Sequence, residues 1–184
     1  MACTIDSGRQ DFSCKTSIGG LKNIYILEGF DANLLANSTI ANSIMSATTS
    51  ANKVFKFELQ DDGNTFSEEN EVSRATGTSL FAPSGAFVIK RQDSATQSLL
   101  ESLSKMRSQV IIEDHNGNFR LAGIENGVDF TVASASGGAM SDLNGYNLTF
   151  TGKEKNMAVY VTAALVSDSA TEFTVDAAVI DPNA

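Results

Sequence analysis

The strongest constraint in the sequence is an alternation of apolar and polar residues that Asn-Gly dipeptides interrupt. The dipeptides are Asn116-Gly117, Asn126-Gly127 and Asn144-Gly145. Asn-Gly favours tight hairpin turns, because a type I′ turn needs positive φ at both central residues. Alternation with a period of two indicates strands with one buried face. The pattern therefore predicts an antiparallel β meander in the second half of the chain.

Further strands are predicted on either side of this meander. The predicted strands are residues 22–27, 54–59, 80–81, 86–90, 109–114, 119–121, 128–132, 146–150, 158–162 and 173–175. Residues 30–51 are ambiguous, with a short strand expected near Ile44. No strand–helix–strand succession recurs, which argues against a doubly wound parallel sheet.

One amphipathic helix is predicted over residues 95–107. Ser94 is a suitable N-cap, and Gln97 three positions later completes a capping box. The apolar stripe consists of Leu99, Leu103 and Met106, flanked by Leu100. A helix with one apolar stripe packs on a flat surface, so we expect it to lie on a sheet. The expected fold class is mainly β: an antiparallel β-sandwich or barrel with one packed amphipathic α-helix and a long projecting hairpin loop.

The composition excludes several classes of function. The chain has 13 Lys and Arg against 22 Asp and Glu, a formal net charge of −9. Binding to nucleic acid through phosphate contacts needs clustered Lys and Arg, so this charge argues against it. The N-terminus shows no secretory signal, and no apolar stretch approaches the length of a membrane span.

Few residues are suited to catalysis or to metal binding. His115 is the only histidine and falls at a predicted hairpin tip, so we expect no catalytic role, no cofactor and no enzyme activity. Asp114, Asn116 and Asn118 have the spacing of a calcium loop, but position six is Phe119 where that loop needs glycine. Cys3 and Cys14 could form a disulfide, although free thiols are usual in a cytosolic product.

The order of these elements resembles the tail tube proteins (major tail proteins) of tailed bacteriophages. The resembling motifs are Glu113-Asp114-His115-Asn116-Gly117, Phe119-Arg120-Leu121, Glu125-Asn126-Gly127-Val128, Gly137-Gly138, Asp142-Leu143-Asn144-Gly145-Tyr146 and Leu148-Thr149-Phe150-Thr151-Gly152. The beginning of the chain, with Gly8-Arg9, Cys14 and Gly19-Gly20-Leu21-Lys22, is also similar. The resemblance covers about residues 15–155 and leaves residues 156–184 unmatched.

The resemblance implies a structural virion protein. Its subunits would form rings, usually hexameric, that stack into a tail tube, and DNA would pass through without specific binding. The net charge of −9 fits such a conduit, because an acidic wall would repel DNA. Partners would be further copies and other tail proteins, with assembly in the host cytoplasm. The implied organisation is an N-terminal arm (residues 1–20), a tail-tube-like β domain (residues 21–155) and C-terminal strands or an arm (residues 156–184).

Two other classes of protein fit the same sequence. One is another ring-forming component, such as a tail terminator, a baseplate protein or a secretion-tube protein. The other is a β-sandwich binding module, for example for carbohydrate. A carbohydrate module favours exposed aromatic side chains, and the chain has no Trp and only three Tyr.

Two surfaces are predicted to serve assembly. The first is a polar, acidic stretch over residues 61–78, which we expect to project and to contact a neighbouring subunit. Its predicted assembly residues are Asp61, Asp62, Phe66, Glu68, Glu69 and Glu71. The second consists of strands 128–132 and 146–150, which we expect to be edge strands that pair between neighbouring subunits, with their polar face toward the lumen of the tube. Its predicted residues are Asp129, Thr131, Asn147 and Thr149.

Overall fold

The computed structural model describes residues 8–9, 16–59, 63–167 and 173–175. Its strands are β1 (Leu21–Leu27), β2 (Ser38–Ala41), β3 (Ile44–Thr48), β4 (Asn52–Glu58), β5 (Thr65–Ser73), β6 (Thr78–Lys90), β7 (Arg107–Ser108), β8 (Val110–Asp114), β9 (Phe119–Ala122), β10 (Val128–Ala135), β11 (Gly145–Gly152), β12 (Val159–Val161), β13 (Val166–Ser167) and β14 (Phe173–Val175). The helix is α1 (Ser94–Leu103), and Ala163–Leu165 form a 3-10 turn. The predicted mainly β class with one helix is confirmed.

The strands form two sheets of unequal width. The large sheet has nine strands in the order β13-β14-β4-β1-β8-β9-β12-β3-β2, and the small sheet has five in the order β5-β6-β11-β10-β7. The small sheet is antiparallel throughout. The large sheet is mixed, because β12 runs parallel to β3 and β14 runs parallel to both β13 and β4.

The central strands of the large sheet are buried on both faces. In β1, Ile24 and Ile26 belong to one hydrophobic core, whereas Tyr25 and Leu27 belong to a second. The first core lies between the two sheets and under the helix, and includes Phe87, Leu100, Leu103, Val110, Phe130, Leu148 and Phe150. Strands buried on both faces read as continuous apolar runs, which explains the sequences of β1 and β8.

The second core requires the large sheet to coil. It combines Met45 of β3, Val54 of β4, Leu121 of β9, Val161 of β12 and Phe173 of β14 in one cluster. Met45 and Phe173, at opposite ends of this row of strands, are both 0% exposed, although no described residue of the small sheet contributes to this cluster. The strands therefore curve around these side chains, with the second core on the concave side.

The helix differs from its prediction at both ends. Asp93 and not Ser94 is the N-cap, and its carboxylate accepts a hydrogen bond from the backbone N–H of Thr96. Asp93 also accepts a hydrogen bond from the Thr96 hydroxyl, so the cap fixes Thr96 on the buried side of the helix. The helix ends at Leu103, because the chain must then turn to enter the short strand β7 at Arg107.

The polar stretch predicted as a loop is mostly a strand. Residues 65–73 form β5, which pairs with β6 along its whole length, from Thr65 with Ala86 to Ser73 with Thr78. The projecting feature is therefore a long β-hairpin with a short turn at residues 74–77. The residues of β5 are polar except for Phe66 and Val72, so the strand has no apolar face that the sequence pattern could show.

The strands that the Asn-Gly dipeptides separate do not form one continuous meander, because they belong to two different sheets. Only Gly117 has positive φ in the β8–β9 turn, so that turn is not type I′. Asn126-Gly127 lies where the chain crosses from β9 in the large sheet to β10 in the small sheet. The two-residue turn with positive φ at both positions is Asn42-Ser43, between β2 and β3.

The remaining segments follow the sequence predictions more closely. The ambiguous region contains β2 and β3, and the predicted strands near residues 158–162 and 173–175 are β12 and β14. Both C-terminal strands belong to the large sheet. Cys3 and Cys14 lie outside the described residues, as do Asp61 and Asp62.

The burial of the helix predicts the cost of shortening its side chains. Leu103 is 5% exposed in the core between the sheets, so Leu103→Ala should lower the free energy of unfolding by roughly 2–5 kcal/mol. Leu99 is only half-buried, and Leu99→Ala is a matched control with a smaller expected loss. Urea denaturation measures both. A loss at Leu103 below about half a kcal/mol, the size typical of surface substitutions, would contradict this packing.

Candidate assembly surfaces

The outer face of the small sheet brings all four predicted lumen residues together. Asp129 and Thr131 lie on β10 and Asn147 and Thr149 on β11, and all four side chains are exposed. The strand register aligns them with their neighbours in rows that cross the sheet. The rows are Thr65-Ala86-Thr149-Thr131, Ser67-Ser84-Thr151-Asp129 and Val88-Asn147-Ala133.

These rows define what we call the outer wall: the side chains of Thr65, Ser67, Ser84, Ala86, Val88, Asp129, Thr131, Ala133, Asn147, Thr149 and Thr151. The outer wall consists of short side chains, and its single charge is Asp129. Basic residues occur at its margins, with Arg107 paired opposite Asp129 and Lys90 at the end of β6. The Arg107 guanidinium lies 3.9 Å from the centre of the Phe30 ring, and this cation–π contact positions the guanidinium.

The predicted assembly residues separate onto the two faces of β5. Glu69 and Glu71 are exposed and lie on the same face as the outer wall. Phe66 and Glu68 face the large sheet instead. Phe66 packs against the core between the sheets, and the Glu68 side chain is only 3% exposed. Glu68 is therefore not free to contact a partner, because β pairing turns alternate residues inward.

Glu68 joins the hairpin to the large sheet. One carboxylate oxygen accepts a hydrogen bond of 2.7 Å from the backbone N–H of Ala158. The other oxygen is buried and lies 3.9 Å from the Arg120 guanidinium, beyond hydrogen-bonding distance. The Arg120 guanidinium lies 5.0 Å from the centre of the Phe66 ring. The base of the hairpin is thus fixed by an ion pair, a cation–π contact and one backbone hydrogen bond.

Glu154 provides a second attachment for the hairpin. Its backbone exchanges two hydrogen bonds of 2.8 Å with Phe81 of β6. Its carboxylate accepts the backbone N–H groups of Glu125 and Asn126 at the crossover between the sheets. Burial raises the pKa of the Glu154 carboxyl, and these hydrogen bonds offset that shift only in part. Beyond Phe81 lies the segment that we call the distal hairpin, residues 70–80.

Glu113 is the third buried carboxylate, and it ties the N-terminal strand to β8. It accepts hydrogen bonds from the side chains of Lys22, Asn23 and Tyr25 at 2.9, 2.6 and 2.9 Å. Burial acts to raise the pKa of Glu113, but the three hydrogen bonds outweigh it and the pKa is lowered. Sequence reasoning named Glu68 only as an assembly residue, and it missed the buried, structural roles of Glu68, Glu113 and Glu154. A carboxylate inside the apolar run of β8 was the one signal available for Glu113.

The lowered pKa of Glu113 predicts a pH-dependent contribution to stability. A group whose pKa is lower in the folded state stabilises the fold above its unfolded pKa, and this stabilisation is lost as the pH falls through the folded pKa. At pH 7, Glu113→Gln should lower the free energy of unfolding by about 1–3 kcal/mol, since it removes charged hydrogen bonds. The difference from wild type should shrink when denaturation is repeated near pH 3. Glu101→Gln, which removes an exposed pair with Lys105, is the control and should have little effect at either pH.

The candidate calcium residues are used by the β8–β9 turn itself. The Asp114 carboxylate accepts hydrogen bonds from the backbone N–H groups of Asn116 and Asn118 and from the Asn118 side chain. The Asn116 side chain in turn exchanges two hydrogen bonds with the backbone of Ile18, which ties the N-terminal segment to the turn. Within the described ranges, no group of three His, Cys, Asp or Glu residues could hold a metal ion.

Neither similarity to known proteins nor a membrane-spanning helix assigns this chain to a class of protein. Comparisons with protein-family models, curated proteins and solved structures found no match. In the part of the chain that the structure describes, no helix has the length and apolar character needed to cross a membrane.

Proposed function

We propose that this chain is a structural subunit that assembles head to tail into rings, which stack to form the tail tube of a tailed bacteriophage. The proposal rests mainly on one observation, the small sheet with its outer wall of short, mostly polar side chains. It is supported by the edges of that sheet, by the distribution of charge and by the distal hairpin. It draws its biological setting from the sequence resemblance.

The edges of the small sheet suit pairing between copies. Its four long strands alternate in direction in the order β5, β6, β11, β10. A second copy in the same orientation would therefore present its β10 antiparallel to β5 of the first. Within the described residues β5 pairs only with β6, and β10 beyond Asp129 pairs only with β11. Open edges of this kind promote pairing with another strand.

This arrangement corrects which strands would pair. Strands 128–132 and 146–150 were the predicted edges, but β11 is an interior strand between β6 and β10. The proposed partners are therefore β10 and β5. Repeated around a ring, the pairing would join the outer walls into one continuous surface.

The outer wall suits a conduit for DNA. Phosphates bind to clustered Lys and Arg, and the central rows of the outer wall contain neither. Serine, threonine and alanine side chains are short, so they leave the surface even. DNA could then slide along the wall with few contacts to break.

The distal hairpin suits contact with a further copy. Val72, on the face turned toward the large sheet, is 71% exposed. Glu69 and Glu71 are exposed on the opposite face. A hairpin of this length with both faces exposed gains little stability within one subunit, so we propose that a neighbouring copy covers it.

Electron microscopy of the purified protein tests the proposal. Wild type should form rings or tubes, because sheet pairing and the distal hairpin act together. A shortened variant, in which the dipeptide Asn-Gly replaces residues 71–80, keeps the pairing of Asn70 with Phe81 and should fold but not assemble. Single rings that never stack would favour a terminator or baseplate component. A protein that stays monomeric at all concentrations would contradict the proposal.

The composition of the outer wall makes a separate prediction about DNA. Thr131→Lys with Thr149→Lys should permit assembly, because both side chains are exposed, but the tubes should then retain DNA. The measurement is co-sedimentation of DNA with assembled tubes across a salt series, since phosphate binding weakens as salt rises. Gln97→Lys with Ser98→Lys, on the exposed face of the helix, adds the same charge elsewhere and should not retain DNA. Equal retention by both variants would place the outer wall away from the lumen.

A further inference from the structure

Among the residues that the structure describes, the unequal width of the sheets leaves part of the large sheet uncovered. One row of paired residues crosses it from β4 to β3: Phe57, Ile24, Ile112, Arg120, Tyr160 and Ile44. Exposure rises from Ile24 toward the β3 end of this row. Ile24 and Ile112 are 1% and 3% exposed, whereas Tyr160 and Ile44 are 44% and 46% exposed. The small sheet therefore covers the row as far as Arg120 and ends there.

The uncovered residues lie beside the open edge of the small sheet. β5 is the strand above this boundary, because its Phe66 and Glu68 contact Arg120 and its Glu68 also contacts Ala158. The Tyr160 ring centre lies 5.8 Å from the same Arg120 guanidinium. We call the exposed pair Tyr160 and Ile44 the shelf. A strand added to β5 would lie directly over it.

Each residue of the shelf alone would need no explanation, since single exposed apolar side chains are common. Their position is the informative feature. A strand that pairs with an open edge gains backbone hydrogen bonds, and pockets for its alternate side chains supply specificity. The edge of β5 and the shelf together offer both.

We propose that the shelf is the docking site for β10 of a second copy, and that Tyr160 and Ile44 determine which strand pairs with β5. The proposal rests on the proposed function, and it names the residues that would make ring closure selective. β10 fits because its direction is antiparallel to β5 in a copy of the same orientation. Its Val132 faces the large sheet and packs only partly against the core of its own subunit, so it would project over the shelf.

The first experiment changes the shelf without changing the edge. Ile44→Asp places a charge on an exposed side chain and should leave the subunit folded, as circular dichroism and thermal unfolding would show. The concentration at which half of the protein assembles, measured by sedimentation velocity, should rise at least about tenfold, equivalent to about 1.4 kcal/mol. Leu35→Asp is the matched control, because Leu35 is 39% exposed in the loop before β2, and it should assemble as wild type does.

The second experiment identifies the strand on the shelf. Two populations are prepared with Cys3→Ser and Cys14→Ser, one carrying Ile44→Cys and the other Val132→Cys. A short bismaleimide should join them into dimers only when the two populations are mixed and assembled. Cross-linking within one population would indicate a two-fold symmetric contact or another occupant, and it would overturn the proposal.

The outcomes separate the two proposals. Wild type that assembles, with Ile44→Asp assembling equally well and no mixed cross-link, would overturn the role of the shelf and leave the proposed function standing. Wild type that never assembles would overturn both. A mixed cross-link together with weakened assembly of Ile44→Asp would support the shelf as the docking site.

Discussion

The burial of β1 and β8 on both faces is the constraint on which the rest of the fold depends. Each of these strands supplies alternate residues to two separate cores, with Ile24 facing the helix and the small sheet and Tyr25 facing the concave side. A strand placed in this way needs cover on both sides. The small sheet with the helix covers one side, and the coiling of the large sheet covers the other. Both sheets are therefore required for a stable subunit.

The same constraint explains why the subunit has open surfaces. Coiling brings β12 and β3 around the second core, so their outer sides extend past the small sheet. The small sheet in turn packs over the first core, and within the described residues its edges at β5 and at β10 beyond Asp129 pair with no further strand. Three buried carboxylates hold neighbouring segments together. Glu68 attaches the hairpin to the large sheet, Glu113 attaches β1 to β8, and Glu154 binds the crossover between the two sheets. Glu113 and Glu154 each accept two or more hydrogen bonds, whereas Glu68 accepts one, from Ala158, and its other oxygen faces Arg120.

Sequence patterns predicted local structure well where one face was apolar. The alternation around Phe130 and Phe150 located β10 and β11, and Leu103 was correctly placed in the core. The pattern failed for β5, because a strand with exposed acids such as Glu69 and Glu71 reads as a loop. The sequence also did not predict which strands share a sheet, since Asn126-Gly127 indicates a turn but not that the chain passes from one sheet to the other. The shelf could not be found in this way, because it depends on which strands the small sheet leaves uncovered.

The structure also changes the physical reason for which the surface would suit a passage for DNA. The net charge of −9 suggested a wall that repels DNA through many acids. The outer wall has Asp129 as its only charge, and the acids Glu69 and Glu71 lie toward the distal hairpin. Repulsion from the wall itself would therefore be weak. What the outer wall offers instead is the absence of basic groups from its central rows, so that no counterions are released and no binding energy is gained on contact. A surface that neither attracts nor strongly repels a polyanion lets it move without being held at any position, and short hydroxyl side chains provide such a surface more evenly than a row of carboxylates would.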